Sequence, residues 1–238
     1  MLFFTGMHRP HDAHYVPRAF VSINVISKRK SEFRANDWIM DSGAFTEISN
    51  HGMWRYGVDQ YAKQIKRWTT NANLLAAVSQ DYMCEPWILK KTGKTIQEHQ
   101  QLTVNRYKDL VQYDTGGTYI IPVLQGFAPE DYLRCIGMYG YSLKPESWVG
   151  VGSVCKRNGN PNAIKQVLSA IRRERPDIYI HGFGLKKTAL KDPDIRKDLF
   201  SSDSMAWSYQ ARYAKRDANS PLEAVKYTRE IEEILAED

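Results

Sequence analysis

Short β-branched or aromatic apolar runs recur along the 238 residues of this chain, each closed by a small or polar residue and followed by a loop and usually a helical segment. The runs are Leu2 to Thr5, Ala19 to Ile26, Trp38 to Met40, Leu74 to Ser79, Tyr119 to Leu124, Trp148 to Val151, Ile178 to His181 and Leu199 to Ser202. A strand that feeds a helix, which in turn feeds another strand, builds a parallel sheet with helices packed on it. Eight such units in a chain of this length match a (β/α)8 TIM barrel, an α/β fold, with a doubly wound open sheet as the alternative. One domain over residues 1–238 is expected, because such barrels use about 200 to 250 residues as a single unit.

The intervening helices carry start signals of their own. Thr95 and Glu98 form a capping box, Pro129 and Pro161 stand where a first helical residue would, the latter behind Asn160, and Ser220, Pro221 and Glu223 combine both signals. Apolar faces repeat at helical spacing: Val58, Tyr61, Ile65 and Trp68; Ile164, Val167, Leu168 and Ile171; Leu222, Val225, Ile231 and Leu235.

The barrel is favoured over the open sheet by what closes its strands. Asp41, Asp81, Gln125, Gly152, His181 and Asp203 each stand at or just beyond a run's end. In a parallel barrel all those ends open on one face, the face on which active sites of that fold are built. Residues far apart in the chain are thus expected to converge on one pocket.

Composition narrows the class further. An apolar share of 42% with 25% charged residues belongs to a globular protein and excludes disorder. No apolar run approaches the roughly 18 residues of a membrane span, and the opening segment breaks at His8, Arg9 and Pro10 before a signal-peptide core forms, so the cytoplasm is the expected location, a host's if the chain is phage-encoded. Cys84, Cys135 and Cys155 are odd in number and widely spaced, which reads as free thiols and no zinc motif. The net charge is +6, and Lys144 to Lys191 carries ten basic residues against three acids, so the positive field is local and suits a phosphate-bearing partner.

Three carboxylates on one barrel mouth leave several chemistries open. They can hold a metal, bind a base, or divide a double displacement in which one attacks carbon and another moves protons. His181 offers an imidazole to a metal reading, and His8, His11 and His14 cluster in a Pro-flanked loop. Gln125 can both donate to and accept from a heteroaromatic edge, and the glycine pairs Gly150/Gly152 and Gly182/Gly184 would let a flat ligand approach the backbone.

Taken in order, these residues resemble the tRNA-guanine transglycosylase superfamily, and most of all its phage and bacterial DNA branch, the 7-deazaguanine DNA transglycosylases. The resemblance covers roughly Trp38 to Arg212. Asp41-Ser42-Gly-Ala-Phe45 is similar to the family's Asp-Ser-Gly-Gly-aromatic motif, Leu124-Gln125-Gly126 to Val-Gln-Gly, Gly150-Val-Gly152-Ser153-Val to Gly-Gly-Leu-Ala-Val, and Tyr179-Ile-His181-Gly182-Phe-Gly to Tyr-Leu-Met-Gly-Val-Gly.

That resemblance implies a base exchange. Asp203 would be the nucleophile and Asp41 the proton carrier. The base would be held by Ser42, Phe45, Asp81, Gln125, Gly126, Gly150, Gly152, Ser153, His181 and Gly182. Phosphates would be met by Lys156, Arg157, Lys186, Lys187, Arg212, Lys215 and Arg216. No cofactor or metal is implied, because the Cys-x-Cys-x-x-Cys zinc cluster of the tRNA enzymes has no counterpart after Cys155. That loss favours DNA as partner over tRNA. The Gly-Glu that usually follows the Leu-Ala-Val motif is replaced by Cys155-Lys156, so the acid that would meet a cationic aminomethyl arm is missing there and a neutral, preQ0-like 7-deazaguanine is the expected incoming base.

Overall fold

The computed structural model describes residues 1–237, and the strands found there form one parallel sheet. They are β1 (Leu2–Gly6), β2 (Arg18–Ser22), β3 (Asp37–Asp41), β4 (Asn73–Val78), β5 (Tyr119–Ile121), β6 (Val123–Leu124), β7 (Trp148–Val151), β8 (Tyr179–Gly182) and β9 (Ser201–Ser204). Their order is β5-β4-β3-β2-β1-β9-β8-β7-β6. The two ends of that order, β5 and β6, are halves of one extended run divided by Pro122. Proline has no N–H to give to the ladder, so the pairing is interrupted there, while the Pro122 carbonyl still accepts a bond from Gly150 N at 2.8 Å. One stretch of chain therefore joins both ends of the sheet, and the nine segments make the expected eight staves of a nearly closed (β/α)8 barrel.

The period of two along each strand decides which side chains enter the barrel. Phe4, Phe20, Ile39, Ala76, Val78, Ile121 and Val123 fill its interior, with Trp148 and Phe183 packed against them. Their neighbours Phe3, Ala19, Val21, Trp38, Met40, Ala77 and Val149 face the helical shell. Counting on by two from the interior set leads to Gly6, Ser22, Asp41, Gln125 and Gly152, so the pleat itself aims these residues into the mouth.

The expected helices form, with three departures from the expectation. Thr95 and Glu98 make a reciprocal capping box at 3.2 and 2.7 Å, and Asn160 caps the helix Pro161–Glu174 through Ala163 N at 3.3 Å. Ser220 makes no such side-chain bond at the helix Pro221–Leu235, because Glu223 is drawn instead into a two-bond pair with Arg216 at 2.6 and 3.0 Å. The buried face of that helix is Ala224, Tyr227, Thr228, Ile231 and Ile234, which leaves Leu222 71% exposed. The run Ala19 to Ile26 also divides: the strand ends at Ser22, whose hydroxyl accepts from Asn24 N at 3.3 Å and starts the helical turn Ile23–Ile26. Among the described residues no helix is long and apolar enough to cross a membrane.

Candidate active site

A cavity of about 420 Å³ opens at the carboxyl ends of the strands, within the range of roughly 300 to 1,000 Å³ usual for small-molecule sites. Asp41, Asp81, Gln125, Gly152 and Asp203 line it, as do Phe45 and Ser153. Ser22, Met83, Glu85, Cys155 and Phe183 line it too and were not singled out from sequence. Strand parity could have found Ser22 and Phe183. Nothing local marked Glu85, which reaches the cavity only through the loop after β4.

Asp203 is held through one of its two oxygens. Its Oδ1 accepts from Gly184 N at 3.0 Å and faces His181 Nε2 at 3.2 Å, whereas no bond within the described residues reaches its Oδ2. His181 Nδ1 lies 2.9 Å from Ser201 Oγ, and Ser201 Oγ accepts from Trp148 Nε1 at 2.7 Å. With a neutral ring, every polar atom is used when Trp148 donates to Ser201, Ser201 to His181 Nδ1, and His181 Nε2–H to Asp203. The imidazole is fully buried, stacked on Phe20 at 5.7 Å and edged by Phe183 at 4.8 Å.

Asp41 sits where β3 turns into the helix Ala44–His51. The turn runs through Gly43 at φ +77°, and a Cβ there would fall 2.4 Å from the Asn24 amide, so glycine is required on both counts. Burial raises the Asp41 carboxyl to about 6, the charge of Asp203 adds to the rise, and bonds from Ser22 and from the Gly43 and Ser42 backbones oppose it. Asp81, pushed up mainly by burial to about 7, accepts from the Gln125 amide, with the charges of Asp41 and Glu85 adding to its rise. Two groups therefore exchange protons near neutrality inside one pocket, as acid-base chemistry requires.

Five of the expected base-binding residues lie elsewhere. His181 is one layer down, because β8 continues to Gly182 and the next inward side chain, Phe183, occupies the mouth. A Cβ on Gly150 would fall 2.3 Å from the Phe183 ring, one on Gly182 would meet Leu185, and one on Gly126 would meet Asp131, so those glycines admit the protein's own side chains and no ligand. Gly152 does line the cavity, but its missing Cβ makes room for the Gln125 amide, 2.2 Å from where that atom would be. Ser42 is buried and does not line the cavity.

The rim divides as well. Lys156 lies 5.1 Å over the half-exposed Phe45 ring, Arg157 4.5 Å over Phe127, and Lys186 5.8 Å over Tyr209, while Arg212 and Lys215 are exposed and form no ion pair among the described residues. Lys187 pairs with Glu230 and Arg216 with Glu223. Among the described residues no group of three or more His, Cys, Asp or Glu side chains is arranged to hold a metal ion. His8 stacks on Trp207 at 5.1 Å and binds Asn219, whereas His14 bonds the His11 carbonyl. Burial pushes the thiols up, Cys135 to about 12 and Cys155 to about 11, so neither is an activated nucleophile.

A fourth carboxyl reaches the cavity from the loop after β4. Glu85 lines the same cavity and is 3% exposed, with the Ser153 hydroxyl 3.1 Å from its Oε2.

A family model described as DpdA, DeoxyPurine in DNA protein A, matches residues 2–229 of the chain. No curated protein matches it.

Proposed function

The chain belongs to the DeoxyPurine in DNA protein A family, the 7-deazaguanine DNA transglycosylases, and from that premise we propose that Asp203 and Asp41 together replace guanine in DNA through a covalent glycosyl-enzyme. The observation that carries this reading is the asymmetry of Asp203, with one oxygen fixed by two N–H groups and the other free at a cavity it shares with a proton-exchanging carboxyl.

Asp203 Oδ2 gives an electron pair to C1′ as the bond from C1′ to the guanine nitrogen breaks, and that bond's pair leaves with the base. The protonated form of Asp41 gives its proton to the departing guanine. An incoming 7-deazaguanine loses its N9 proton to the Asp41 carboxylate and attacks C1′ from the vacated side, which breaks the ester and restores both aspartates. Two inversions retain the β-anomer, and nothing is oxidised or reduced, the logic of a retaining glycosidase with a base in place of water. A carboxyl near 6 populates both of the forms that the two half-reactions need.

C1′ is reachable in a duplex only if the nucleotide leaves the stack, at a cost of a few kcal/mol that pocket contacts offset. Phe45 at the rim and Asp81 on the wall are the groups to supply them, with Lys156, Arg157, Lys186, Arg212 and Lys215 beside the backbone. The reading is tested by nucleoside mass spectrometry of DNA and total tRNA from cells that express the chain with a 7-deazaguanine supply. A deazaguanine deoxynucleoside is expected in the DNA. Modified tRNA alone, or no modification in either pool, would overturn it.

In this mechanism His181 is a positioning residue. His181→Met removes the N–H that fixes Asp203, and loss of one hydrogen bond to a charged group predicts a fall of roughly 10- to 100-fold in kcat with a smaller change in KM for DNA. His181→Gln, which can again present an N–H, is expected to recover part of the rate. A merely structural role would give no such rescue.

A further inference from the structure

Three aromatic side chains on the rim stand about half exposed, Trp87 at 45%, Phe45 at 49% and Phe127 at 44%. Only Phe45 has work in the exchange described above. Trp87 lies in the first turn of the helix Pro86–Thr92, where its neighbour Ile88 is fully buried, so the helix turns the indole outward. Phe127 follows β6 in a loop whose Phe127 and Ala128 N–H groups both donate to Asp131 Oδ2, at 2.9 and 2.8 Å. Both rings are thus presented on fixed backbone, and neither joins the core.

The contacts among these groups make a continuous row. Trp87 meets Phe45 in a T-shaped contact at a centroid distance of 6.1 Å, and Lys156 Nζ lies 5.1 Å over the same Phe45 ring. The next residue, Arg157, lies 4.5 Å over Phe127 and donates to the Phe127 carbonyl. Neither cation forms an ion pair among the described residues. Exposed apolar side chains scattered singly need no explanation, whereas rings and cations interleaved beside a cavity do.

Such a row fits a nucleic-acid strand whose bases are unpaired. Every base has a π face that can stack on an aromatic ring, and its phosphates meet cations along the same groove. In a duplex those faces are covered by neighbouring bases, so phosphates and groove edges are what remain and the rings gain nothing. The row also passes the cavity, because Phe45 lines it. A strand laid across Trp87 and Phe127 can therefore deliver a nucleotide to Asp203 with no pairing to break.

We infer that this rim binds single-stranded DNA, with Trp87 and Phe127 stacking on nucleotides that flank the target and Lys156 and Arg157 meeting the phosphates between them. This rests on the exchange reading above and names the form of DNA it acts on, an unpaired strand in preference to an intact duplex.

The test is equilibrium binding of the full chain, by fluorescence anisotropy at one salt concentration, to a labelled oligodeoxynucleotide containing a single guanine, to its duplex, and to RNA of the same sequence. The single DNA strand is expected to bind roughly tenfold or more tightly than the duplex. Trp87→Ala and Phe127→Ala should each weaken it by roughly fivefold or more, the loss of one stacked base, and leave the duplex within roughly twofold. Trp87→Phe, which keeps a ring, should recover most of the loss. A duplex bound as tightly as the single strand, alanine variants that lose both forms alike or neither, or RNA bound more tightly than DNA would each overturn the inference. Melting curves check that the variants fold, and the wild-type ratio of single strand to duplex decides the matter even if one does not. Exchange of labelled guanine into the same single strand is measured separately. Its absence alongside an intact strand preference would sink the exchange reading and leave the binding surface standing.

Discussion

Exchange of labelled guanine into DNA is expected to fall by roughly 10⁴-fold or more in Asp203→Asn and in Asp203→Ala, the scale seen when a covalent nucleophile is removed. The asparagine variant is the sharper of the two. Its amide oxygen can still accept from Gly184 N and His181 Nε2, now at 3.0 and 3.2 Å, so the hydrogen-bonded frame survives while the attacking oxygen becomes an NH₂. Alanine would also leave those two buried donors idle, at about 1 to 3 kcal/mol each. DNA binding should persist in both, since the rim cations are untouched, and no trapped protein–DNA adduct should form. Exchange at more than about a tenth of the wild-type rate in Asp203→Asn would remove Asp203 from the role of nucleophile.

Stability should fall as pH rises from about 4 to about 7, and Asp81→Asn should abolish much of that fall. Asp81 titrates at its ordinary 3.8 in the unfolded chain and at about 7 in the folded one, because burial outweighs the Gln125 hydrogen bond. Between those values the native state keeps a proton that the unfolded state has released, so the slope of unfolding free energy with pH is negative. The penalty is absent below pH 4 and complete above pH 7. At about 1.36 kcal/mol per unit it amounts to roughly 4 kcal/mol at pH 8, and Asp41, raised to about 6, adds in the same direction. Asp81→Asn is therefore expected to be more stable than the wild type at pH 8 by about that amount and little changed at pH 4, with base binding impaired at both. Denaturant unfolding at the two pH values reads this directly. A variant no more stable at pH 8 would mean that the Asp81 carboxylate is comfortably solvated in the folded protein.

How far the site could be read from the chain depended on how local its causes were. Asp41 and Asp203 were legible because each ends an apolar run and turns at once into a loop, a signature that lies within a few residues. Phe45, Gln125 and Ser153 followed from neighbouring motifs for the same reason. His181 was misplaced by two positions, which is one step of the pleat: the chain shows an apolar run but not where its last inward side chain falls, and Phe183 took the mouth. Gly126, Gly150 and Gly182 lie off the cavity because the space beside each is filled by a side chain of the protein, from as near as Leu185 beside Gly182 to as far as Phe183 beside Gly150. The partners of Lys187 and Arg216 were not legible, because helix packing brings Glu230 and Glu223 to them.

The sequence by itself determined the eightfold alternation of strand and helix, and with it the barrel and the face on which chemistry converges, because hydrophobic period and capping are properties of short segments. Pro122 was visible there as well, though not that it would divide the strand at the place where the ring closes. Only the tertiary structure decided which carboxylates share a cavity, that Asp203 is held on one oxygen by a relay from Trp148 through Ser201 and His181, and that Glu85 reaches the same cavity from the loop after β4. Those facts are set by distances between loops and layers that no spacing along the chain encodes, and it is burial at those distances that raises Asp41 and Asp81 toward neutrality.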